Sequence, residues 1–365
     1  MTAPARTAPQ HRRLANQRLA GLAGLSPAYF AMVMATGVVS LAAFQQGLEL
    51  VARALFGLNV VSWLLLSLLN GIRLLRYPRA FFGDMVDHLR GPGFFTSVAA
   101  TALLGTQFVM LVGGGERIAF ALWLLALVLW AGLTYTIFTA FTIKEVKPTL
   151  DKGMSGAWLL AVVTTQSLAV LSALLAAHTP QPWRLELNFF ALSMWLWGGM
   201  LYIWMMSLIF YRYTFFHFTA DDLTPPYWIN MGAMAISTLA GSLLIMNAPD
   251  APFLQSLVPF LKGFTVFYWA TGTWWIPMLL VLGIWRHVYK RFPLEYDPLY
   301  WGAVFPLGMY CASTYSMAHA LSLDFLAWLP RVFLYLSMAA WTAAFAGVIR
   351  QIARRLQESV APKAA

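Results

Sequence analysis

Between Arg117 and Lys144 the chain reads IAFALWLLALVLWAGLTYTIFTAFT, residues 118–142, with only an isoleucine between its end and the lysine and no charge inside it. About 20 mostly apolar residues carry a helix across the hydrocarbon core of a bilayer, and this stretch is longer. Nine further stretches of the same kind flank it. With it they place spans at 26–46, 52–74, 92–112, 118–142, 154–177, 187–211, 226–247, 262–288, 299–321 and 328–349. The expected fold is an all-α integral membrane protein. Residues 1–25 form a disordered tail, 26–350 a ten-helix membrane domain and 351–365 a second tail.

Composition agrees with that reading. The 365 residues are 60% hydrophobic and 10% charged, against about 25% charged in a soluble domain. The net charge of +10 would suggest nucleic acid in a soluble protein; here the basic residues read as topology signals, and no nucleic-acid partner is expected. Of the 24 Lys and Arg, 19 fall in the two tails and every second gap between spans, and the other gaps hold one each: Arg53, Arg117, Arg184, Lys262 and Arg331. Basic loops stay in the cytoplasm, so both termini are expected inside, in the plasma (inner) membrane. Arg12 and Arg13 before an apolar run resemble a secretory signal, but the run is as long as a span and no Ala-x-Ala site ends it.

The spans pair into five hairpins through short outer turns such as Val112-Gly113-Gly114-Gly115-Glu116. Odd helices begin near Pro27, Pro92, Met154, Pro225 and Pro298, 62 to 73 residues apart, a period that suggests five similar units around an axis. Odd helices are rich in small and hydroxyl residues, whereas even helices carry Leu- and Trp-rich faces such as Trp123-Leu124-Leu125-Ala126-Leu127-Val128-Leu129-Trp130. The expected arrangement is an inner ring of odd helices around a pore and an outer, lipid-facing ring of even helices. The expected pore lining is Thr36, Gly37, Ser40, Thr101, Gly105, Thr165, Thr238, Gly241, Gly308 and Ser313. The competing explanation is that small residues simply allow close helix packing.

Chemistry-bearing clusters are scarce. All 14 acids lie in loops or at span ends, and of six His only His319 falls within a span. Haem between paired His, paired Asp-rich magnesium sites and a CxxC metal site are therefore not expected; nor is any cofactor, metal or catalytic set. A bore without carboxylate does not repel anions, and one without Lys or Arg does not trap them. The ninth span reads Trp301-Gly302-Ala303-Val304-Phe305-Pro306-Leu307-Gly308-Met309. Pro306 inside a helix removes a hydrogen bond and kinks it. Phe305 beside the kink is either a gate that swings into the bore or a packed core residue.

Two segments, Ser26 to Ser40 and Trp301 to Met309, make the chain resemble the tellurite-resistance/dicarboxylate transporter family. That family includes the bacterial tellurite-resistance protein, the fungal malate permease and sulfite efflux pump, and the plant guard-cell slow anion channels. The resemblance implies a pore of five odd helices inside five even ones, an occluding phenylalanine at Phe305, and a homotrimer with one pore per protomer. It implies a non-enzymatic transporter of small anions (sulfite, a C4-dicarboxylate such as malate, or chloride and nitrate), channel-like in action. A proton-coupled sulfite or dicarboxylate exporter of the same fold is the alternative, and a membrane-embedded enzyme or cofactor protein a remote one.

Overall fold

A computed structural model describes residues 21–293 and 296–360. Arg6, Arg12, Arg13 and Arg18, with most of the expected N-terminal tail, lie outside them. Every regular element among the described residues is helical. The ten long helices are α1 (Phe30–Gln45), α2 (Glu49–Arg76), α3 (Phe95–Leu111), α4 (Glu116–Ile143), α5 (Leu160–His178), α6 (Trp183–Phe215), α7 (Ile229–Asn247), α8 (Pro252–Ile284), α9 (Trp301–Leu321) and α10 (Trp328–Val360). Short helices at Pro78–Met85 and Leu150–Gly153 lie in the connections.

Among the described residues nine helices are long and apolar enough to cross a membrane; α9 is the long helix outside that set. Its apolar content is diluted by Ser313, Thr314, Ser316 and His319, yet Trp301, Phe305, Met309 and Ser313 are all buried. The expected start of the eighth span at 262 is corrected to Pro252. Proline is favoured in the first turn, where its missing N–H has no helical partner. The helix then continues through Pro259 and keeps Lys262 exposed. The last helix runs on to Val360, past the expected end at 349.

Each odd helix packs on its even successor, and the odd helices pack on one another in the closed order α1, α3, α5, α7, α9 and back to α1. In the apolar windows of α1, α3, α5 and α7, 78 to 94% of residues are buried, against 17 to 50% in the even helices. The odd helices are thus the interior and the even ones the shell. Turns between partners are tight: Gly47 and Gly114 sit at φ 81° and 77°, where a Cβ would be strained. A short 3₁₀ turn precedes each odd helix: Pro27–Tyr29, Gly91–Phe94, Gly156–Leu159, Pro225–Trp228 and Pro298–Tyr300. Gly156 fills the place of proline in the third because a Cβ there would lie 2.6 Å from the Pro226 carbonyl oxygen.

A hydrogen-bonded belt ties shell to interior. Indole N–H groups donate from Trp63 to Thr101 Oγ1 (3.0 Å), Trp130 to Thr165 Oγ1 (2.9 Å), Trp195 to the Ser237 carbonyl (2.8 Å), Trp269 to Thr314 Oγ1 (3.0 Å) and Trp341 to Thr36 Oγ1 (2.9 Å). Each even helix so binds the next odd helix, and α10 closes the circle on α1. In a low-dielectric interior an unpartnered indole N–H is costly, which gives each link a reason to form.

Candidate functional site

Two cavities lie on the axis of the odd-helix ring. The first, about 400 Å³, opens at the odd helices' N-terminal ends and is walled by Ala31 and Met34 of α1, Thr96 of α3, Leu160 of α5, Ile229 of α7, and Gly302 and Phe305 of α9. Arg90 and Asp297 stand at its mouth. Arg90 is half exposed and pairs with Asp84 at 3.0 Å, so it offers an approaching anion only a partly neutralised charge. The second, about 370 Å³, opens at the other end. It is walled by Val38, Gln45, Thr106, Val170, Leu239, Met309, Ser316 and His319, among others, again from all five odd helices.

The barrier between them is thin and apolar. Met34 faces the first cavity and Val38 the second, one turn apart on α1; Phe305 and Met309 stand in the same relation on α9. Four residues of helix rise about 6 Å. Met34, Phe305 and Met309 are buried at 1%, 1% and 0% exposure. Pro306 lies inside α9, and its ring packs on α7, where a Cβ on Gly232 would come within 2.8 Å. The geometry is two cavities, one at each end, separated by a barrier with no charged side chain.

A family model described as the SLAC1 voltage-dependent anion channel matches residues 24–349. The chain belongs to the voltage-dependent anion channel family. Anion transport across a membrane is therefore its general function, and it is a multi-pass membrane protein. Among its relatives, an uncharacterized membrane protein of Mycobacterium tuberculosis is 36% identical over 159 residues, 44% of this chain and 80% of that one. An uncharacterized transporter of Methanocaldococcus jannaschii is 26% identical over 300 residues, 79% of this chain and 83% of its own. A second transporter from the same archaeon is 24% identical over 311 residues, 79% and 82% of the two chains.

Within this channel-family fold, Phe305 borders the first cavity, but the ten residues expected to line the pore are in neither cavity wall. They sit at helix contacts. Thr36, Thr101 and Thr165 accept from the Trp belt, and Ser40 donates to the Ala52 carbonyl at 2.7 Å. Thr238 and Ser313 donate back to the carbonyls of Met234 and Tyr310 on their own helices. A Cβ on Gly37 would lie 3.0 Å from Asn59, on Gly105 2.7 Å from Leu171 and on Gly308 2.9 Å from Val38; Gly241 faces Thr265 and Trp195. The physical reason is packing: small residues let the crowded inner helices approach one another, and a buried hydroxyl needs a partner. The cavity walls come from other residues of the same helices, apolar ones such as Met34, Leu160, Ile229, Val170 and Leu239 with a few polar ones such as Thr96, Thr106 and Ser316.

The Trp belt escaped the sequence reading, although its signal was present. Trp63, Trp130, Trp195, Trp269 and Trp341 recur 65 to 74 residues apart, the same period as the helix starts. Among the described residues no group of three His, Cys, Asp or Glu gathers as metal ligands would.

Proposed function

We propose that ten helices cross the plasma (inner) membrane with both termini in the cytoplasm, and that small anions move down their gradient along the axis of the odd helices. The supporting observation is the pair of axial cavities separated by an apolar barrier one helical turn thick. An apolar constriction holds back a hydrated ion by dewetting, and opens when one bulky side chain moves. Phe305 is the gating side chain and Pro306 the flaw in the helix ladder that lets it move, with Met34 and Met309 completing the seal. A barrier without carboxylate does not repel anions, and one without a fixed cation does not hold them; Asp297 stands only at the mouth of the first cavity. The cargo class is a small inorganic anion such as chloride, nitrate or sulfite, or a small dicarboxylate such as malate. Each protomer of a homotrimer carries its own path.

A proton-coupled exporter of the same fold is the second reading, favoured by His319, the imidazole on the wall of the outer cavity. One experiment separates the two. Purified protein in liposomes is given an anion gradient without a pH gradient, then the reverse. Flux under the first condition alone is expected. Flux that follows only the pH gradient selects the exporter, and none under either, with folded protein, removes the transport path assigned here.

A further inference from the structure

Three even helices end in an arginine folded back into the protein, and the three are not treated alike. Near the end of α2, Arg73 pairs with Asp84 and lies over the Phe81 ring, 5.7 Å from its centroid. Near the end of α6, Arg212 pairs with Asp222 at 2.9 Å, donates to Tyr227 and lies 5.4 Å from the Phe218 centroid. Just beyond α8, Arg286 lies 4.1 Å from the Phe292 centroid and donates to the Leu223 carbonyl. Among the described residues no carboxylate pairs with it. The residue is 8% exposed, and among the described residues its Nε has no partner. Arg73 also leaves one nitrogen free, but Asp84 meets its charge.

Two further observations set this place apart. A cavity of about 160 Å³ lies against Arg286, and its wall also includes Thr224, His287, Tyr300 and Gly283. The helix carrying Arg286 changes to a π turn at Trp285–Tyr289, a rare distortion that recurs at functional sites; α2 and α6 end without one. A buried guanidinium is expensive without a counter-charge, none is supplied among the described residues, and a fork of N–H donors matches an oxyanion. Hydroxyl, imidazole and guanidinium groups around a small cavity are the components of such a site.

We propose that this cavity binds a phosphate-type oxyanion, with Arg286 as its principal ligand and Thr224, His287 and Tyr300 as further donors. The site lies between α7, α8 and the start of α9, apart from the axial path. Ala303 of its wall is two residues before Phe305, so an anion here braces the turn that leads into the gate. The source is either free phosphate or the headgroup of an anionic phospholipid.

Thermal unfolding of delipidated full-length protein, titrated with inorganic phosphate at constant ionic strength, tests the assignment. At ten times the dissociation constant the midpoint should rise by about 2 °C. The rise should vanish in Arg286→Gln and persist in Arg79→Gln, an exposed arginine outside the cavity. Gly283 has open space where a Cβ would go, so Gly283→Leu fills the cavity while keeping the arginine and should abolish the rise even if Arg286→Gln fails to fold. Stabilisation by short-chain phosphatidate but not phosphate assigns the site to a headgroup, and by phosphate alone to a free anion. No stabilisation by either overturns the proposal. So does stabilisation that appears only in Glu295→Gln, because the chain's own carboxylate would then hold Arg286.

Discussion

Replacing Phe305 by alanine gives the sharpest test of how this path is closed. The ring is 1% exposed, and full burial of a phenylalanine is worth up to about 3 kcal/mol. If opening requires the ring to leave its niche, that niche sets most of the cost, about 2 to 3 kcal/mol. At 1.36 kcal/mol per tenfold, the open population in the wild type is then lower by roughly 30- to 150-fold than in a protein that never incurs the cost. Phe305→Ala is therefore expected to raise anion flux by roughly that factor. The gain is bounded, because Met34, Val38 and Met309 still narrow the path from the other sides. The assay is current through purified protein in a planar bilayer with chloride, nitrate, sulfite and malate in turn. Size exclusion and a melt confirm that the variant is folded. Unchanged flux in a folded variant would refute the reasoning: Phe305 would then be a packed core residue, and the closing step would lie elsewhere in the barrier.

Other outcomes follow from the packing. Gly156→Ala places a methyl against the Pro226 carbonyl where the starts of α5 and α7 meet; backbone cannot yield cheaply, so a loss of about 1 to 3 kcal/mol is expected, read as a lower unfolding midpoint. Thr165→Val removes the acceptor for Trp130 and orphans a buried indole N–H, at about 1 to 3 kcal/mol; adding Trp130→Phe should recover part of it, and strictly additive losses would show that the bond contributes nothing. Asp222→Asn takes the charge partner from Arg212, whose side chain is 6% exposed against 31% for the aspartate; about 2 kcal/mol is expected, below the range for a fully buried pair. Burial pushes the Asp222 carboxyl up, but hydrogen bonds from Thr219 and the Arg212 charge outweigh it and hold the group below the usual carboxylate range. A carboxyl with a lowered folded-state value adds stability that is present above its unfolded value and lost as pH falls through the folded one. Acidification below about pH 4 should therefore cost the wild type more than the Asn variant, and parallel curves would remove Asp222 from the acid response.

Hydropathy and punctuation carried much of the architecture in the sequence. The prolines at 27, 92, 225 and 298 mark the turns that open four odd helices, because a residue without an N–H costs least in a first turn. Gly114 marked the turn between α3 and α4 because its backbone must take a positive φ. The start of α8 was misread because Lys262 looks like a boundary in a hydropathy scan; in the fold it is an exposed side chain on a continuing helix.

Which face of each inner helix meets the path was not legible. An inner helix is surrounded on every side, so its residues are apolar or small all round and no stripe distinguishes bore from neighbour. Hydroxyls on the odd helices looked like a polar lining; in the fold Thr36, Thr101 and Thr165 accept indole N–H groups, since a buried donor takes the nearest acceptor. The sequence by itself determined that this chain is a multi-pass helical membrane protein, because burial of backbone and apolar surface in lipid is a local requirement that each segment must meet alone. Only the tertiary structure decided where the cavities lie, which side chains seal them and which arginine is left without a described carboxylate, because those depend on what a neighbouring helix, distant in sequence, brings within reach.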